Sequence, residues 1–96
     1  MSGILLNNVN VDTTSGPLKT DGGNKVIVVR GDDFGGGTVE IQVKSNNDSE
    51  NRFLTLDNGS FTVDGTLLLS ATKSGLTYRA VLSGATSPVN IFAELV

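Results

Sequence analysis

The chain has 96 residues, with seven Lys or Arg against ten Asp or Glu, a net charge of −3, and no His, Cys or Trp. That length holds one domain and leaves no room for a second core. The missing residue types exclude Cys/His zinc sites, thiol or Ser–His nucleophiles, imidazole acid–base chemistry and disulfides. A pI near 4.6, with basic residues scattered from Lys19 to Arg79, argues against nucleic acid, which requires a clustered basic surface.

Val and Thr are abundant while Ala, Met, Glu and Gln are sparse, a balance that favours pleated strands. Turn residues, including twelve Gly, fall mostly between the apolar runs. In chain order the pattern predicts strands at Ile4–Val11, Lys25–Gly31, Thr38–Lys44, Arg52–Asp57, Ser60–Asp64, Thr66–Thr72, Leu76–Ser83 and Val89–Val96. Short strands at this spacing, with no helical period, predict an all-β, antiparallel two-sheet β-sandwich, jelly-roll or Ig-like, of about seven to eight strands.

The N-terminus, Met1–Asn10, lacks a basic leader and holds a short apolar run, Ile4–Leu6, so it does not read as a signal peptide. The runs Val26–Val29 and Leu67–Leu69 are far shorter than the ~20 residues that cross a bilayer. The expectation is a soluble protein made in a cytosol-type compartment, without a membrane partner. Val11–Asn24 is polar and Gly-rich, and reads as a long loop. The chain therefore divides into an N-terminal arm and flexible loop, residues 1–24, and a β-sandwich domain, residues 25–96. The arm either adds itself to a sheet edge on a neighbour or forms an ordinary first strand of its own sandwich.

Val26–Val29 is apolar on both faces, as suits a strand covered on both sides or touching another subunit. In Thr38–Lys44, Val39, Ile41 and Val43 alternate with Glu40, Gln42 and Lys44, giving one buried and one wet face. Asn58-Gly59 predicts a type I′ two-residue hairpin turn. Such a turn pairs Leu56 with Phe61 and Leu54 with Val63, and places all four inside with Val39, Ile41 and Val43.

Four motifs bear on chemistry. Gly35-Gly36-Gly37 lacks a following Gly-Lys-Ser/Thr and precedes a strand, so it reads as a turn or bulge rather than a phosphate cradle. Arg30-Gly31-Asp32 spells an integrin-recognition tripeptide, with nothing else pointing to a cell-surface ligand. Asp32-Asp33, Asp57 and Asp64 lack the spacing of an EF-hand loop; turn formation is their default role, with a weak calcium site between loops as the alternative. As a glycosidase pair they would lack an aromatic platform and a deep cleft. Asn47-Asp48-Ser49 and Asn58-Gly59-Ser60 match the glycosylation sequon and, with no signal peptide expected, read as chance matches. No catalytic, cofactor or metal residues emerge.

Three runs are distinctive in order: Phe34-Gly-Gly-Gly-Thr-Val-Glu-Ile-Gln-Val, then Ser60-Phe-Thr-Val-Asp-Gly-Thr-Leu-Leu-Leu, then Leu76-Thr-Tyr-Arg-Ala-Val-Leu-Ser-Gly-Ala-Thr-Ser-Pro-Val-Asn-Ile. Across Val26–Val96 the chain resembles the small all-β virion proteins of tailed bacteriophages, among them capsid decoration (cement) proteins. It departs from them in Ser45–Arg52, a loop that often carries an aromatic there and has none here. Met1–Asn24 has no counterpart.

The resemblance implies a non-enzymatic capsid decoration protein that needs no cofactor, is synthesised in the bacterial host cytoplasm and is carried on the virion. Its partners would be the major capsid protein or other virion proteins, with neighbouring capsomers bridged. A tail- or neck-associated ring or adaptor protein is the alternative, and a host-surface or carbohydrate-binding module the next. The excess of apolar strand surface in so small a chain predicts a homo-oligomer, with a homotrimer favoured. The residues expected at a partner interface are Ile4, Leu5, Leu6, Val9 and Val11 from the arm, with Val26 and Val28.

Overall fold

A computed structural model describes residues 3–19, 23–72 and 75–96, with the side chains of 70–72 also outside the description. Among the described residues there is no helix. Nine strands form two antiparallel sheets: β1 (Gly3–Val9), β2 (Thr13–Thr14), β3 (Leu18–Lys19), β4 (Gly23–Arg30), β5 (Thr38–Ser45), β6 (Leu54–Phe61), β7 (Gly65–Thr72), β8 (Leu76–Ser83) and β9 (Ile91–Leu95). Sheet A runs β1-β9-β4-β7, and sheet B runs β2-β8-β5-β6 with β3 also on β8. The protein is a two-sheet β-sandwich.

The core follows from period-two alternation. Ile27 and Val29 of β4 and Ile91, Ala93 and Leu95 of β9 line the inner face of sheet A. Val39 and Ile41 of β5 and Tyr78, Ala80 and Leu82 of β8 line that of sheet B; all are buried. The alternation expected in Thr38–Lys44 is present: Val39 and Ile41 are buried, and Val43 packs half-buried against the core.

The Asn58-Gly59 hairpin does not form. Asn58 and Gly59 lie inside one continuous strand, β6, which takes in Leu54–Asp57 and Ser60–Phe61 of the two strands expected at Arg52–Asp57 and Ser60–Asp64. Between the pairs Glu40–Ser60 and Gln42–Thr55, β5 advances two residues while β6 advances five. The pair is used as a wide bulge, with Asn58 at φ 60°, rather than as a turn. Gly59 is buried for a different reason. A Cβ there would lie 2.9 Å from the Leu56 carbonyl oxygen and 3.2 Å from that of Ile41, so backbone approaches where a side chain would stand. In consequence Leu54 and Val63, expected inside, are 69% and 68% exposed, while Leu56 and Phe61 are half-buried against the core. The true connection into β7 is Thr62–Asp64.

The boundary expected at residue 24 is not visible in the packing. Gly3–Val9 is the edge strand β1, paired antiparallel with β9 from Gly3–Leu95 to Val9–Ile91. The polar stretch after it is held by specific hydrogen bonds, which is why polarity misled as a sign of looseness. Asn90 N–H donates to Asn10 Oδ1, and the Asp12 carboxylate accepts from the N–H groups of Gly84 and Ala85 at 3.2 and 3.1 Å. Thr13–Thr14 and Leu18–Lys19 then pair with β8. Met1, Ser2 and Thr20–Gly22, also part of the expected arm and loop, lie outside the described residues.

Candidate functional site

Two regions could carry function: the loop end around the glycine run, and the outer face of sheet A. At the loop end, an open depression of about 540 Å³ is lined by Gly31–Gly36 and Thr62–Asp64. Its carboxylates are engaged in shaping the loops. Asp33 Oδ1 accepts from Gly35 N–H at 2.8 Å, Asp64 Oδ1 from Gly31 N–H at 2.9 Å, and Asp32 Oδ2 from Asn90 Nδ2 at 2.8 Å. The Asp33 bond is the local turn-stabilising kind that Asp forms with neighbouring backbone, and the other two tie separate loops together. Among the described residues no group of three or more His, Cys, Asp or Glu is placed to hold a metal ion.

The triple glycine is a tight turn, as its composition suggests. Gly35 has φ 61°, and an added Cβ would strike the backbone of Thr86. The two loops are tied by Thr86 N–H donating to Gly35 O at 2.9 Å. Arg30-Gly31-Asp32 is likewise spoken for. The Arg30 guanidinium lies 4.8 Å from the Phe92 ring centre, its Nη2 reaches Asn8 Oδ1 at 3.4 Å, and Asp32 holds Asn90.

The outer face of sheet A carries a group of apolar residues beside Glu94, Thr66 and Arg30. Directly opposed residues of an antiparallel pair share a face, so the register places Ile4 beside Glu94, Glu94 beside Val28, and Val28 beside Thr66. One step along, Val26 lies between Leu68 and Val96, with which it exchanges both backbone hydrogen bonds at 2.9 and 2.8 Å. One step the other way, Phe92 faces Arg30. Ile4, Leu68 and Val96 are more than half exposed, and Val26, Val28 and Phe92 are half-buried.

Of the residues expected at an interface, the fold brings together Ile4, Val26 and Val28 on this face. Leu5 and Leu6 are buried in the core, because a bulge between Ile4 and Leu6 turns both inward. Val9 packs against the core, and Val11 is exposed beyond the end of β1. The sequence reading missed Leu68 and Phe92. Their signal was available only through register: Leu68 is the middle of three leucines, and which of those points outward depends on its pairing with Val26.

The outer face of sheet B differs in kind. There Arg79 bonds Gln42 at 2.7 Å across the β5–β8 pair and stacks 4.0 Å from the centre of the Phe53 ring, a polar and self-satisfied surface.

No family model matches the chain, and neither a curated protein nor a solved structure matches it.

Proposed function

We propose that this protein is a non-enzymatic structural protein of a tailed-bacteriophage particle, a capsid decoration protein that binds the head lattice and bridges neighbouring capsomers. Its partner is the major capsid protein, and its place is the capsid surface after synthesis in the bacterial host. The observation that carries the reading is the group of apolar residues on the outer face of sheet A, Val26, Val28, Leu68 and Val96, with Ile4 and Phe92 flanking Glu94. Contiguous exposed apolar surface marks an interaction site. The order of motifs across Val26–Val96, which resembles that of small phage virion proteins, supplies the kind of partner.

Physical considerations favour such a role. A repeated adhesive unit needs only modest affinity per contact, because attachment at several lattice points multiplies binding through effective concentration. A net charge of −3 keeps the domain off packaged nucleic acid.

The test is fractionation of purified particles from the producing strain into heads and tails, with quantification of this chain by mass spectrometry. Recovery with heads is the expected result. Recovery with tails moves the protein to a neck or tail ring, and absence from particles overturns the proposal.

A further inference from the structure

A sandwich with open sheets has strand edges whose unpaired N–H and C=O groups invite another chain, and proteins blunt them with short strands, proline, charge or bulges. Three of the edges here are blunted. β2 and β3 have two residues each, with Pro17 between them. β1 carries two register irregularities and Asn8 at φ 54°. β6 carries Asp57 and the Asn58 bulge.

β7 is different. It is an eight-residue terminal strand, Gly-Thr-Leu-Leu-Leu-Ser-Ala-Thr, with no charge and no proline. Its pairing with β4 is regular from Val29–Gly65 to Lys25–Leu69, with one register shift beyond, before Gly23–Thr72.

The register says which groups are free. Val26 gives both its backbone bonds to Val96 of sheet A, so Lys25, Ile27 and Val29 turn theirs toward β7, and their partners Leu69, Leu67 and Gly65 answer them. The N–H and C=O groups of Thr66 and Leu68 therefore point outward along the open edge, and Ser70 is the next residue of the strand along it.

We propose that this edge of β7 pairs with the same edge of a second copy of the chain, antiparallel about a two-fold axis at Leu68. Thr66 then exchanges hydrogen bonds with Ser70 of the second copy, Leu68 meets Leu68, and two four-stranded sheets become one of eight strands. The inference goes beyond the proposed function and does not depend on it.

A second copy is the occupant that the features of the edge favour. The contact is isologous, so one self-complementary strand satisfies both sides. In a molecule of net charge −3, an uncharged strand lets two copies meet without like charges opposed across the new ladder. Centring on Leu68 overlaps nearly the whole strand, and it joins the Leu68 and Val26 patches of both copies into one continuous outer face. The result is a two-fold pair, in place of the trimer suggested by composition.

Three readouts test it. Sedimentation velocity of the intact protein at tens of micromolar should give a dimer, and Leu68→Lys and Thr66→Lys, both at exposed positions, should give monomers with unchanged circular dichroism. Because the chain has no Cys, Leu68→Cys is a clean reporter. Hydrogen-bonded antiparallel partners sit about 5.5 Å apart at Cα, within disulfide reach, so oxidation should link Leu68→Cys into dimers while leaving exposed Leu54→Cys unlinked. In hydrogen exchange the Thr66, Leu68 and Ser70 amides should be protected at high concentration and exchange freely on dilution. A monomer, a trimer, open-ended aggregates, or a dimer in which those three amides stay unprotected would each overturn the inference.

Discussion

Ser15 and Ala80, 65 residues apart in sequence, are clasped by two hydrogen bonds: Ser15 N–H donates to Ala80 O at 2.8 Å, and Ala80 N–H donates to Ser15 Oγ at 2.8 Å. The serine hydroxyl in turn donates to Gly16 O at 3.1 Å. Ser15 and Ala80 are both buried, so this clasp fixes a polar segment onto the middle of sheet B. Ser15→Ala removes an acceptor and leaves the Ala80 N–H buried without a partner, at a cost of about 1–3 kcal/mol. Urea denaturation should show this as a lower midpoint with an unchanged slope. A neutral result would mean that the segment is not held as described.

The strand β1 should separate cleanly into buried and exposed positions. Leu6 is 1% exposed, so Leu6→Ala should destabilise the fold by about 2–5 kcal/mol. Ile4, 52% exposed on the outer face, should tolerate Lys with a change within about 0.5 kcal/mol. If the outer face binds capsids, Ile4→Lys should keep its melting temperature and lose roughly tenfold or more in binding to heads stripped of the protein, as expected for losing one buried aliphatic side chain. Equal melting of Leu6→Ala and the parent would show that the N-terminal segment lies outside the core.

In the β6 bulge the two members of Asn58-Gly59 should respond in opposite ways. Asn58 holds the positive φ, so Asn58→Gly should change stability by less than about 1 kcal/mol. Gly59→Ala places a methyl against the carbonyls of Leu56 and Ile41 and should cost about 1–3 kcal/mol. Thermal melts of the two variants check this, and an unchanged melt for Gly59→Ala would show that no backbone stands where its Cβ would go.

Burial raises the Tyr78 phenol above its ordinary value of 10.0. The folded state then keeps a proton that the unfolded state releases, so the contribution of this group is complete below pH ~10 and is lost as pH climbs through the folded value. Unfolding free energy should fall in that window, and Tyr78→Phe should flatten the part of the decline that belongs to the phenol. Tyr78 is the sole tyrosine, and there is no Trp, so tyrosinate absorbance follows this one group. Titration at 10 or below in the folded protein would contradict the burial.

The parts of the fold legible in the sequence are those carried by strands long enough to show a period. Leu76–Ser83 was expected with those bounds and has them, and Val39 and Ile41 fall inside because Glu40 and Gln42 leave them no other face. The two-residue strands β2 and β3 were not legible, because Thr13-Thr14 and Leu18-Lys19 are too short to carry a period. What holds them is Asp12 and Ser15, side chains whose partners lie more than sixty residues away. The Asn58-Gly59 pair misled because local chemistry permits positive φ without deciding between a turn and a bulge; that choice was made by where β5 lies. The outer-face patch was half legible: Val26 and Val28 follow from a strand apolar on both sides, whereas Leu68 and Phe92 needed the register.

The pairing of β1 with β9 also has a consequence in time. Gly3 meets Leu95 and Val9 meets Ile91, so β1 waits for β9, which follows it by more than eighty residues. During synthesis Leu5 and Leu6 have no native partner strand until Ile91–Leu95 has emerged. Closing a loop of that length carries an entropic cost that grows with the logarithm of its size, and it must be met before any of the contacts it permits. Such non-local topologies fold in milliseconds to seconds rather than microseconds. Sheet A is therefore completed only once Ile91–Leu95 has been made, and until then Leu5 and Leu6 lack the strand that covers them.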